Sequence, residues 1–169
     1  MPTPAPIRDL ALPAPDGSGH SESPLGAGMI LVHVTARVAP GESAGPAPGD
    51  SPGRERPAGR IGAEISAEDA RALAERCALQ LLANLGAACG GDWDRVLRCV
   101  KLTVALDAAP DFRAHPAVAD GASNLVAGAL GAAGRHVRSA FGLAAPTPAD
   151  ALPATVRIDA VFALASFAP

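Results

Sequence analysis

Alternation of apolar and polar positions predicts four β-strands along the chain. The run MILVHVTARV is apolar at most positions, which is typical of a strand that is covered on both faces. In VLRCVKLTVAL, valine and leucine alternate with polar or small residues, as in a strand with one buried face. Two further runs follow on either side of a Pro-rich connector. The predicted strands are 29–38, 96–106, 136–144 and 155–166.

Two segments repeat apolar residues at the spacing of an α-helix. Ser66 followed by Asp69 predicts an N-cap and an acidic first turn at the start of the first helix. The second helix is predicted over 118–130, and Gly131 and Gly134 follow it as stop signals. The apolar stripe of the first helix consists of Ala70, Leu73, Cys77, Leu81, Leu82 and Leu85.

The order of these elements, strand, helix, strand, helix, strand, strand, predicts an α/β (α+β) sandwich built on one mixed sheet. Two helices cannot cover both faces of such a sheet. The last strand nevertheless has Phe162 and Leu164 on one side and Val161 and Ala163 on the other, so both of its faces look buried. We therefore expect the second face to pack against another copy of the chain.

The segments outside these elements are rich in Pro, Gly and Ser. We expect one domain over 1–169, with a loosely packed arm over 1–24 and a disordered loop over 39–60. No apolar run approaches the length of a membrane span, and the first residues lack a basic start and an apolar core like those of a signal peptide. The sequence therefore predicts a cytoplasmic protein that does not contact a membrane.

Charge, cysteines and histidines exclude several classes of function. The formal net charge of -3 disfavours a protein that holds nucleic acid through its phosphates. The cysteines are not at metal-ligand spacing, and we expect them to be buried thiols. The histidines are scattered, so we expect neither a metal nor another cofactor. The cysteines are Cys77, Cys89 and Cys99, and the histidines are His20, His33, His115 and His136.

Arg138 stands among small and apolar residues in a predicted strand, where an arginine is costly unless it reaches solvent or an anion. A guanidinium holds a carboxylate through two parallel charge-assisted hydrogen bonds, so a ligand carboxylate is one explanation. A structural ion pair with Asp159 or another acid is the alternative.

Several motifs in the same order resemble the Rid family, the YjgF-type reactive intermediate deaminases that are also called endoribonuclease L-PSP-like. They are GDWDRVLRCVKLTVAL, the DF pair, HPAVADGASNLV, GRHVRSAFGLA and LPATVRIDAVFA, and the likeness is strongest over 61–163. The resemblance implies a chorismate-mutase-like two-layer fold with two helices on one face of the sheet. It also implies a homotrimer with small-molecule clefts between subunits.

The same resemblance implies the roles of single residues. Arg138 would bind the carboxylate of an imine or enamine derived from an amino acid, and backbone N–H groups near Ser139 and Ala140 would complete the cradle. The family glutamate that positions the attacking water is replaced here by Arg157, and Asp159 is the acid that remains on that face.

His33 lies within the predicted strand 29–38 and begins the stretch HVT, which stands where the family has an S-G-Q-like turn. It either replaces a lost polar group of the site or is an ordinary core histidine.

Three functions follow as hypotheses. The first is hydrolysis of a 2-imino acid to a 2-keto acid and ammonia. Because the family glutamate that positions the water is replaced, the sequence leaves open whether the protein is an enzyme. The alternative is a binding or sensing protein for a small carboxylate. A ribonuclease or translation inhibitor is the weakest, because no basic stripe with interleaved aromatic residues is present.

Overall fold

The computed structural model describes residues 6–17, 20–26, 28–38, 59–143 and 155–166. Its five strands form a mixed sheet in the order β1-β2-β5-β3-β4, in which β3 and β4 are parallel and the other neighbours are antiparallel. Most of the loop predicted over 39–60 lies outside the described residues. The main elements are β1 (His20–Gly26), β2 (Met29–Val38), α1 (Ala67–Ala88), β3 (Val96–Asp107), α2 (His115–Leu130), β4 (Val137–Leu143) and β5 (Val156–Ala165).

The two helices pack side by side on one face of the sheet. Helix α1 contacts β2 and β5, helix α2 contacts β3 and β4, and the helices contact each other. The other face, which we call the open face, is covered by no element of the described chain. The predicted mixed sheet with two helices on one face is therefore confirmed, and the open face is where a ligand or a second copy has access.

The core lies between the helices and the sheet. Alternate residues of the central strands point into it, as the pleat requires, and are almost completely buried. The apolar stripes of the two helices pack against these residues from the other side. Cys77 lies in the stripe of α1, as the sequence predicts. The largest fully buried side chains of the core include Phe162, Ile61, Ile65, Leu81, Leu82, Leu102, Leu106 and Ile158.

Both helices begin and end at recognisable signals. The Asp69 N–H donates to Ser66 Oγ at 3.0 Å, which confirms the predicted N-cap of α1. Helix α2 begins three residues before the predicted start, with Pro116 in its first turn, where a missing N–H costs nothing. It ends at Leu130 and is capped by Gly131, whose φ of 58° favours glycine.

The N-terminal part of the chain differs from the loose arm expected over 1–24. Residues 20–26 form β1, an edge strand held by backbone pairing to β2, and all seven of its residues are exposed. Its sequence has no apolar alternation, and backbone pairing to β2 gives it its place in the sheet. Further towards the N-terminus, Ile7, Leu10 and Leu12 pack against the core.

Two buried amides of α1 hold this N-terminal segment in place. Gln80 Nε2 donates to the Ala14 carbonyl at 2.9 Å, and Asn84 Nδ2 donates to Asp16 Oδ1 at 3.0 Å. Asn84 Nδ2 also donates to the backbone carbonyl of Thr35 in β2 at 2.9 Å. Because an unpaired buried amide is costly, these contacts fix both the segment and the adjoining part of β2.

All three cysteines are buried free thiols, as predicted. Burial is the main cause that raises the pKa of each of them, and it raises the pKa of Cys99 to about 12 from an ordinary value of 9.0. The thiols are therefore neutral in the folded protein at physiological pH.

Folding stability should consequently fall as the pH rises above 9. The unfolded chain releases the thiol protons there while the folded chain keeps them, so each thiol contributes a slope of up to about 1.4 kcal/mol per pH unit between its two pKa values. Urea unfolding at pH 8 and pH 10 measures this slope. A Cys99→Ala variant should show a shallower slope than the parent, and an equal slope would contradict the assignment.

Candidate binding site on the open face of the sheet

The strand register aligns polar side chains in a row across the open face. Thr35 of β2 lies opposite Asp159 of β5, Asp159 lies opposite Thr103 of β3, and Thr103 lies opposite Ser139 of β4. Residues that are directly opposite on neighbouring strands share a face and approach within contact distance. Three hydroxyl groups and one carboxylate therefore form a continuous polar row at the centre of the face.

Cationic residues flank this row on both sides. On one side Lys101 stands on β3, and on the other Arg37 of β2 lies directly opposite Arg157 of β5. Asp159 is thus a single carboxylate between positive charges. The flanking rows are His33, Val161, Lys101 and Val137 on one side and Arg37, Arg157, Ala105 and Phe141 on the other.

Two shallow cavities occupy this part of the face. The larger, of about 460 Å³, is lined by ten residues, among them His33, Lys101, Thr103 and Asp159. The smaller, of about 320 Å³, is lined by Thr35, Ala36, Arg37, Arg157 and Asp159. Asp159 and Thr35 line both cavities, so the two depressions meet at the centre of the polar row.

The centre of the open face is polar and accessible, which differs from the apolar face expected from β5. Asp159, His33 and Lys101 are exposed, whereas Val161 is half-buried and Ala163 is 8% exposed. The expectation rested on the apolar second half of β5. The first half of the strand carries charged residues on the same face, and they dominate its centre.

Thr35 is fixed in this site by contacts on both sides of its strand. Its hydroxyl donates to the backbone carbonyl of Ile158 at 3.3 Å, and its own carbonyl accepts from Asn84 of α1. The helix layer thereby sets the position of one wall of both cavities.

Arg138 is placed on the other face of the sheet. Its register partner on β3 is Leu102, a core residue, so its side chain points towards the helices. Its Nη1 donates to Asp120 Oδ1 of α2 at 2.7 Å, and the two side chains are 25% and 49% exposed. The guanidinium thus pairs with an acid within the chain, and that acid is Asp120 rather than Asp159.

The structure brings together only some of the residues that the sequence singled out. His33, Asp159 and Arg157 line the cavities of the open face, and Ser139 extends their polar row. Ala140 faces the helix layer, like Arg138. Sequence reasoning missed Lys101, Thr103 and Arg37, whose only signal was that polar residues alternate with core residues along their strands.

The described part of the chain contains no group of three or more His, Cys, Asp or Glu side chains that could hold a metal ion. Among its helices, none combines the length and apolar character that crossing a bilayer requires.

Comparison with known proteins gives no matching family model. Protein TCP17 from Trypanosoma cruzi is 42% identical over 87 residues, which are 51% of this chain and 54% of that protein, so the match spans about half the length of this curated relative.

Solved structures match over most of the chain. The protein Atu1372 from Agrobacterium tumefaciens, of unknown function, has a TM-score of 0.69 and 29% identity over 93% of this chain and 87% of its own. A "putative endoribonuclease" from Shewanella oneidensis MR-1 has a TM-score of 0.65 and 22% identity, over 97% and 93%. Together with the five-stranded mixed sheet and its two helices, these likenesses support a YjgF-like fold for this chain.

Proposed function

We propose that the protein binds a small carboxylate-bearing metabolite on the open face of the sheet, and that a second copy of the chain closes the site. One observation carries this proposal: Arg37 and Arg157 lie directly opposite each other on neighbouring strands. Like charges in that position repel and destabilise a sheet. An anion between the two guanidinium groups would turn the repulsion into paired charge-assisted hydrogen bonds.

The surroundings of this arginine pair suit a small organic acid. Asp159 and the Thr35 hydroxyl line the same cavity and can hold the polar groups of a ligand next to its carboxylate. Lys101 lies in the adjoining cavity and offers a second cationic contact. A ligand with two anionic groups, such as a dicarboxylate, would span both cavities, and 2-keto or 2-imino acids would use one.

Calorimetric titration with 2-ketobutyrate and a short dicarboxylate tests the proposal, with butyramide as the uncharged control. We expect the acids to bind and the amide not to bind. Arg138 is the other candidate for the carboxylate, because the resemblance places the ligand there. If Arg138→Ala abolishes binding while Arg157→Gln leaves it unchanged, the carboxylate site is on the helix side and the open-face assignment is wrong.

Hydrolysis of 2-imino acids is the second candidate function, and the position of Asp159 favours it. This exposed carboxylate lies between the threonines of two neighbouring strands, at positions 35 and 103. A carboxylate and two hydroxyl groups can orient a water molecule towards an imine carbon and accept its proton. Asp159 would then be the catalytic base, and the carboxylate of the substrate would rest on the arginine pair.

Self-association is the part of the proposal that encloses the site. Strand β4 is an edge of the sheet, and on its open face Val137 is 67% exposed and Phe141 is 45% exposed. Exposed apolar side chains beside a polar cavity are typical of a surface where a partner docks. We propose that copies of this chain meet along β4 as a homotrimer, so that each cavity lies at a junction between subunits.

A Phe141→Asp variant is therefore expected to dissociate the assembly, because a charge would be buried at the interface. Sedimentation at micromolar concentration should give a trimer for the parent and a monomer for the variant. Leu25→Asp is the matched control, since Leu25 is 55% exposed on β1 at the opposite edge. A monomeric parent, or a variant that remains trimeric, would contradict the proposed interface.

A further inference from the structure

A serine and a histidine form a close pair between α2 and the start of β4. Ser123 Oγ lies 2.7 Å from His136 Nε2, and His136 Nδ1 lies 2.6 Å from the carbonyl oxygen of Gly134. Both side chains are half-buried, so neither is sealed from solvent. The pair is on the helix side of the sheet, away from the cavities of the open face.

The hydrogen bonds determine which atoms carry protons. A carbonyl oxygen only accepts, so Nδ1 of His136 must donate to Gly134. In the neutral imidazole Nε2 is then an acceptor, and the Ser123 hydroxyl donates its proton to it. A hydroxyl that donates to an imidazole, which is itself oriented by a third group, is the arrangement of an activated nucleophile and its base.

Close packing at Gly134 sets the position of the orienting carbonyl. A Cβ on this residue would lie against the carbonyl oxygen of Val126 and 2.8 Å from Cα of Ala127, both backbone atoms of α2. Only glycine therefore lets this turn lie on the helix. The orientation of His136 thus depends on backbone contacts as well as on its own side chain.

An arginine stands next to the pair. Arg138 of β4 is two residues after His136, and its partner Asp120 is one helical turn before Ser123 in α2. Asp120 engages Nη1 of Arg138, and its side chain is 49% exposed. The Arg138 side chain is itself 25% exposed, so a ligand carboxylate could reach its guanidinium from solvent.

We propose that Ser123 and His136 form a nucleophile and general base for acyl transfer from small esters that carry a carboxylate. Ser123 Oγ forms a bond to the ester carbonyl carbon while its proton passes to His136 Nε2. The bond from that carbon to the alkoxy oxygen then breaks, and His136 returns the proton to the leaving alcohol. Water, deprotonated by His136, then forms a bond to the acyl carbon, the bond from that carbon to Ser123 Oγ breaks, and His136 returns the proton to the serine oxygen. Arg138 holds the carboxylate of the ester.

This activity is independent of the proposed function, because its residues are on the opposite face of the sheet. Loss of carboxylate binding at Arg157 would leave the serine site unchanged. Loss of the reactivity of the serine would likewise leave carboxylate binding at Arg157 unchanged. The two proposals can therefore fail separately.

Labelling of the parent protein with a fluorophosphonate tests the nucleophile. The reagent bonds to an activated serine oxygen with loss of fluoride, and peptide mass mapping identifies the residue. We expect an adduct on Ser123 in the folded protein and none after denaturation. In His136→Gln the labelling rate should fall by about 10²- to 10⁴-fold, the usual cost of losing a general base. Ser23→Ala is the matched control, since Ser23 is exposed on the edge strand β1 and lines neither cavity, and it should label at the parent rate.

Ester hydrolysis tests the role of Arg138. The mono-p-nitrophenyl ester of succinate should be hydrolysed faster than p-nitrophenyl butyrate, and Arg138→Leu should remove this preference. Absence of an adduct on Ser123 under conditions that label a known serine hydrolase would overturn the proposal. Equal labelling of Ser123 in the parent and in His136→Gln would also overturn it, because the hydrogen bond would then be structural only.

Discussion

An Arg157→Glu variant is expected to lose about 100-fold in affinity for 2-keto carboxylates. The substitution removes charge-assisted hydrogen bonds, each worth about 1.5–3 kcal/mol, and places a second carboxylate beside Asp159. Calorimetric titration of the variant measures the loss. Arg98→Glu is the control, because Arg98 is exposed on β3 and lines neither cavity. An unchanged affinity in Arg157→Glu would show that the carboxylate binds elsewhere.

The same variant separates binding from turnover when ammonia release from an enzymatically generated imino acid is measured at concentrations that saturate the variant despite its weaker binding. If hydrolysis requires a glutamate at position 157 to position the attacking water, the variant gains activity that the parent lacks. If Asp159 is already the base, the parent is active and Asp159→Asn loses about 10²- to 10⁴-fold in rate. A parent that is inactive together with an inactive Arg157→Glu would leave carboxylate binding as the function.

The second large effect concerns stability. Phe162→Ala should lower the free energy of unfolding by about 3–5 kcal/mol, because this fully buried ring would leave a cavity between β5 and the helices. Leu25→Ala is the control, because Leu25 is 55% exposed on β1, away from the proposed interface along β4, and its effect should stay within about 0.5 kcal/mol. Urea unfolding at one fixed protein concentration compares them, and a loss below about 1.5 kcal/mol in Phe162→Ala would contradict the described core.

Much of the fold was predictable because its signals are local. The Ser66 cap and the leucine stripe specify α1, and the alternation in β3 and β5 reflects one face packed on the helices. Strand β1 was not predictable, since backbone pairing to β2 holds seven exposed residues whose side chains carry no pattern. Strand order is equally non-local, and it decides which residues become neighbours.

The candidate site was likewise predictable only where its signals are local in the sequence. The alternation of side chains along a strand correctly placed Asp159 and Arg157, which are two residues apart, on one face. It could not pair Arg37 with Arg157, which depends on the register between two strands far apart in sequence. Nor could it reveal that Arg138 faces α2, where Asp120 is available, because the choice between the two faces depends on how β4 pairs with β3.

The central position of β5 has a consequence for how the protein forms during synthesis. Strand β5 is the last described strand in the chain, yet it lies between β2 and β3 and supplies the partner for each. Before it leaves the ribosome, β2 has no neighbour on one edge and β3 has only β4. The nascent chain therefore exposes unpaired strand edges until β5 has been synthesised, a state in which chaperones bind and aggregation competes with folding.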